Sequence, residues 1–171
     1  MGKFLIYLLF CLSMLLSTCE ADTVRTFPID QIDEDLGISV QSGTVLENRD
    51  THGGWLGDGD SFVKISFSPE QGEKLIGQIQ NGTYWNPFPL TDNLTAALYG
   101  NSPHGFLIFK NDEGDPLLPP IRNGYYFFED RFSESTDPAD DSDLYKRGAF
   151  NFTLAVYNLD AHVLYYMRFD T

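Results

Sequence analysis

The C-terminal stretch "GAFNFTLAVYNLDAHVLYYMRFD", residues 148–170, restricts the possible folds more than any other part of the chain. Phe150, Phe152, Leu154 and Val156 recur at every second position, the period of a strand with one packed face. Residues 162–170 are equally rich in apolar and aromatic side chains, and Asn158-Leu159-Asp160-Ala161 supplies turn chemistry between the two runs. Two such runs with so short a link predict an antiparallel hairpin. A hairpin this apolar must be covered by other elements, because an isolated one is marginal in water.

Upstream segments supply that cover. In "SFVKISF" (61–67), Val63, Ile65 and Phe67 alternate with Lys64 and Ser66, which predicts a half-buried strand. Ser68-Pro69-Glu70-Gln71 then carries a capping serine, a proline at the first helical position and a glutamine three residues on. Leu75, Ile76 and Ile79 share one face of the helix this predicts, and Asn81-Gly82 ends it. A second short helix is expected from Thr91 or Asp92 to Tyr99, ended by Gly100. "YWNPFPL" (84–90) reads as an extended loop packed by its rings, since it contains two prolines. "ISVQSGTVLE" (38–47), "GFLIFK" (105–110) and "NGYYFFED" (123–130) read as strands, and 133–143 as an acidic loop. The sum is a single α+β domain: an antiparallel sheet of five or six strands with two short helices on one side.

The N-terminus predicts export. A lone Lys3 precedes the charge-free apolar run "FLIYLLFCLSMLLST", the pattern of a secretory signal peptide over residues 1–21. "Leu16-Ser17-Thr18-Cys19" resembles the lipobox of bacterial lipoproteins, in which case residues 1–18 leave and Cys19 is lipidated. Cleavage after Ala21 is the competing reading. Residues 22–36 then form a polar lead-in, with Phe27 and Ile29 docking, and 37–171 the globular domain. The expected location is the outer face of a bacterial membrane, held there through the lipid alone, or the medium.

Cys11 leaves with the signal, so the mature chain has neither a disulfide framework nor a cysteine zinc site. A domain of about 150 residues buries enough core without bridges. The formal net charge of −14 opposes binding to nucleic acid and to anionic lipid. It is compatible with basic partners, with cations, or simply with solubility.

The most chemically loaded segment is "DTHGGWLGDGD", residues 50–60. As a ligand site it offers His52, Trp55 as a stacking platform, and Asp58 and Asp60 for a cation or a sugar hydroxyl. As a turn it offers glycines with positive φ and aspartates that cap local amides. EF-hand spacing is missing, and His52, His104 and His162 are too scattered for a zinc motif, so no metal or other cofactor is expected. There is no G-x-S-x-G elbow. His52 beside Asp50 is the first suspect for acid–base chemistry.

"THGGWLGDGDSF", "NGYYFFEDR" and "FNFTLAVYNLDAHVLYYMRFDT" together resemble a group of small exported bacterial proteins of uncharacterised role. The resemblance spans nearly the whole mature chain and implies a shared single-domain fold outside the cytoplasm. It transfers no activity and no catalytic residue. The resulting expectation is a non-enzymatic, lipid-anchored binding protein of the cell envelope, with a protein or a glycan as ligand. A small extracytoplasmic hydrolase using His52 with nearby aspartates is the first alternative. An acidic inhibitor or immunity-type protein is the second.

Overall fold

A computed structural model describes residues 25–53, 57–100, 102–103, 105–132 and 134–171. The expected signal segment over residues 1–21, which includes Cys19, and the candidates Trp55 and His104 lie outside the described residues. Three helices form: α1 (Ile29–Leu36), α2 (Pro69–Ile79) and α3 (Asp92–Tyr99). The strands are β1 (Thr44–Asp50), β2 (Gly59–Ser66), β3 (Trp85–Pro87), β4 (Gly124–Asp130), β5 (Asn151–Asn158) and β6 (Val163–Asp170). They make one antiparallel sheet in the order β1-β2-β6-β5-β4-β3. The expected α+β fold is thus present, and the terminal hairpin pairs along its whole length from Asn151↔Asp170 to Asn158↔Val163.

The local signals account for two of the helices. Ser68 and Gln71 complete a reciprocal capping box at the start of α2. Thr91 caps α3, which stops at Gly100 in the left-handed region. Helix α1 is the addition, and it lies in the stretch read as a polar lead-in. Its buried residues Ile32 and Leu36 are one turn apart, and the acidic residues around them hide that short stripe in a bare sequence.

The segment 105–110 is a correction, because no strand forms there. The amides of Ile108 and Phe109 instead donate to the carbonyl of Ala97, at 2.9 and 3.2 Å. That carbonyl belongs to the last turn of α3 and has no helical donor of its own. An apolar run that caps a helix has the same composition as a strand. "YWNPFPL" also differs, since its Trp85–Pro87 portion pairs with β4 as the short edge strand β3.

The helices are not all on one side, which corrects that part of the expectation. α1 and α2 cover one face of the sheet, burying Ile32, Leu36, Leu75 and Ile79 against Val63, Ile65, Leu164, Tyr166 and Tyr157. α3 covers the other, where Leu94 and Leu98 join Phe62, Phe128, Phe152, Leu154 and Met167. Both faces being covered explains why the middle of β5 is buried without alternation.

Strand register brings out a further feature of the α1/α2 face. Two of its cross-strand rows are mostly apolar, Ile65–Leu164–Tyr157–Tyr125 and Val63–Tyr166–Ala155–Phe127. The next row toward the end of the sheet is Asp50–Ser61–Arg168–Thr153–Glu129. One step along the strands, the same face therefore changes from hydrocarbon to a row of polar and charged groups.

Candidate functional site

That polar row carries the best-equipped chemistry among the described residues. His52 follows β1 and turns its ring back over the row's end. Its Nδ1 lies 2.6 Å from Asp50 Oδ1, and its Nε2 lies 3.0 Å from Asp170 Oδ2. Both contacts join donor to acceptor when both ring nitrogens carry hydrogen, the imidazolium form. Ser61 donates to Asp50 Oδ1 at 2.9 Å, and its Oγ stands 3.1 Å from His52 Nδ1.

Asp170 is the hub of the cluster. Arg131 Nη1 approaches its Oδ1 at 2.8 Å, and Arg168 Nε donates to its Oδ2 at 2.9 Å. Burial pushes the Asp170 carboxyl up, but the hydrogen bonds and charges of Arg131 and Arg168 outweigh it and hold the group below the ordinary aspartate value. Asp50 is also held low: burial opposes this, and the hydrogen bonds from His52 and Ser61 prevail. Arg131 in turn donates to Thr153 Oγ1 and to the carbonyl of Phe152, both at 3.1 Å.

The glycine loop is fastened at its base. Thr51 N donates to the Asp60 carbonyl at 2.9 Å, Thr51 Oγ1 donates to Asp60 Oδ1 at 2.8 Å, and Arg49 stands 3.5 Å from the same carboxylate. A Cβ on Gly59 would fall 2.6 Å from the backbone N and Cα of His52, so glycine is required there by close approach. Asp58 is exposed and points no interaction into the cluster. Of the sequence candidates, the structure brings His52 into the polar cluster, uses Asp60 to clamp the loop, and leaves Asp58 on the surface.

The cluster has the elements of a Ser–His–Asp relay, with Asp170, His52 and Ser61 in line. Ser61, however, is fully buried, and Asp50 already receives its hydroxyl proton. A substrate carbonyl has no route to that Oγ in this conformation. What the arrangement does well is tie β1, β2 and β6 together at one end of the sheet.

Farther along the same face lies a concave surface. Asp35 on α1 receives Tyr166 Oη at 2.5 Å and Gln31 Nε2 at 2.9 Å, with Arg168 Nη1 3.9 Å away. Glu129, at the β4 end of the polar row, has a raised pKa, first from burial and then from Asp35, with Arg131 and Arg168 opposing. Together with Glu34, the two carboxylates border a groove of about 300 Å³ that Asn81, Thr83, Tyr84 and Phe127 also line. A second concavity, of about 370 Å³, lies in the acidic loop beside the buried pair Arg147–Asp130. Among the described residues no group of three or more His, Cys, Asp or Glu is placed to hold a metal ion.

Sequence reasoning missed Asp170, Ser61, Arg131, Arg168, Asp35 and Glu129. The register of the terminal hairpin places Thr153 opposite Arg168, and that pair was available from the turn position. The others depend on β2 pairing with β6 and on α1 docking, which no local pattern announces. Comparison with known proteins finds no matching family model, no similar curated protein and no similar solved structure.

Proposed function

We propose that this chain is an exported binding protein of the bacterial cell envelope, anchored through a lipid on Cys19, rather than an enzyme. The observation that carries the reading is the groove between α1, the Asn81–Tyr84 loop and β4. It is a concave surface with polar groups from three elements converging on it, as ligand sites have. Its walls are already fixed: Trp85 Nε1 donates to the Leu36 carbonyl at 3.1 Å, and Gln78 Oε1 accepts from Ser39 N at 2.7 Å. A preformed surface loses little conformational freedom on binding. The apolar N-terminal run and the "Leu16-Ser17-Thr18-Cys19" pattern support export and anchoring.

The test is the intact mass of the protein from native membrane and medium fractions, followed by cross-linking in intact cells. A lipidated N-terminus at Cys19 with reproducible envelope partners is the expected result. A soluble chain beginning at Asp22 removes the anchor, and a chain with no cross-linked partner and no retained ligand removes the binding role.

A second reading, a hydrolase, is favoured by one observation, the alignment of Asp170, His52 and Ser61. It requires Ser61 to become reachable. Covalent labelling of Ser61 by a fluorophosphonate, lost in Ser61→Ala, would establish it, and an unlabelled folded protein would dispose of it.

A further inference from the structure

We infer that the groove bordered by Asp35, Asn81, Thr83, Tyr84, Phe127 and Glu129 is a saccharide site, taking an uncharged sugar ring. This rests on the binding reading above and names the class of ligand.

The three carboxylates of the groove are unequally supplied: Glu34 is exposed, with Gln31 Nε2 donating to it at 3.4 Å. Asp35 is fully engaged, with one oxygen on Gln31 and the other on Tyr166. Glu129 accepts no hydrogen bond and stands in no ion pair with any described residue, although it is partly buried. An acceptor in that position lacks donors, and hydroxyl groups supply them. Arg131 and Arg168 act on Glu129 only from a distance, since both guanidiniums are paired with Asp170. The unmet need at Glu129 is hydrogen-bond donation, which the hydroxyls of a polyol supply.

The aromatic part of the lining completes the case. Tyr84 is held at φ +64, a conformation that costs a bulky residue energy and persists where the surroundings enforce it. Phe127 backs its ring edge-on at 6.2 Å, and Trp85 packs on Phe127 at 5.6 Å. The ring is thus braced from behind, beside the amide of Asn81 and the hydroxyl of Thr83. A sugar has an apolar C–H face for such a ring and hydroxyls around its rim for the carboxylate and amide. The groove's volume is at the lower end of ligand pockets and suits one or two sugar units.

The experiment is an NMR titration of the folded mature chain with chitotetraose, maltotetraose and mannotetraose. Saturable shifts at Asn81–Tyr84 and Phe127–Glu129 with at least one of them are expected. Tyr84→Ala and the isosteric Glu129→Gln should each weaken that binding by about tenfold, the loss that follows from removing one good contact. Shifts confined to other surfaces, or an absence of saturable shifts with all three sugars, would overturn the saccharide assignment. Envelope cross-links that survive in Glu129→Gln alongside that negative result would leave the broader binding reading standing. Shifts at the groove caused by calcium or a lysine peptide, and by none of the sugars, would also overturn it.

Discussion

His52 and Asp170 are 118 positions apart in sequence, yet His52 Nε2 meets Asp170 Oδ2 at 3.0 Å. That contact joins the loop after β1 to the last residue of β6, and two arginines converge on the same carboxylate. Replacing Asp170 by Asn removes the charge from three cationic or donor partners at once, in a site where its side chain is 16% exposed. We expect a stability loss of about 2–4 kcal/mol in urea unfolding, since a half-buried network left with unpaired cations costs most of what a broken ion pair costs. His52→Ala should cost about 1–2 kcal/mol, and exposed Asp58→Ala about 0.5 kcal/mol or less. Equal effects for Asp58 and Asp170 would show that the cluster does not hold the sheet end together.

Acid should act on this molecule in two opposite ways. Asp50 and Asp170 have folded pKa values below the ordinary 3.8, so their stabilisation is present above that value and lost as pH falls through the folded values. Glu129 runs the other way, because its folded pKa lies above the ordinary 4.5. Its contribution is complete below 4.5 and disappears as pH rises through the folded value. Stability measured across this range should therefore fall less toward neutral pH in Glu129→Gln than in the parent, and fall less at low pH in Asp170→Asn. Parallel curves for parent and Glu129→Gln would mean that Glu129 titrates as an unperturbed surface group.

These contrasts mark how far the sequence was legible. Helix α3 was readable to within one residue because Thr91 and Gly100 are chemical start and stop signals. The β5–β6 hairpin was readable because its period and its turn agree. The polar row was not, because Ser61, Arg168 and Thr153 look like ordinary outward positions until α1 and the neighbouring strands are placed. Asp50 and His52 were found from adjacency alone, and their true partner, Asp170, lies across a β2–β6 pairing that is set by the whole sheet. The groove was hidden for the same reason: Asp35, Tyr84 and Glu129 come from separate elements.

Two glycines on one helix should respond oppositely to the same substitution. In α2, a Cβ on Gly72 would lie 2.6 Å from His162 Nδ1 and 2.7 Å from Tyr157 Oη. Tyr157 is fully buried, with its phenol pushed up to about 12 by that burial, and His162 sits at φ +50 in the turn. The Tyr157 ring has little room to retreat, and overpacking of that kind costs about 1–3 kcal/mol. Alanine's helical advantage over glycine, about 1 kcal/mol, is too small to reverse it. Gly77, with nothing within 4 Å of its Cβ position, has that advantage unopposed. Gly72→Ala is expected to lower the melting temperature and Gly77→Ala to raise it by a few degrees. Adding His162→Gly to Gly72→Ala removes the nearer obstacle and suits the left-handed turn, so the double variant should regain part of the loss. If Gly72→Ala is as stable as Gly77→Ala, the packing of α2 onto Tyr157 and His162 is looser than the structure has it.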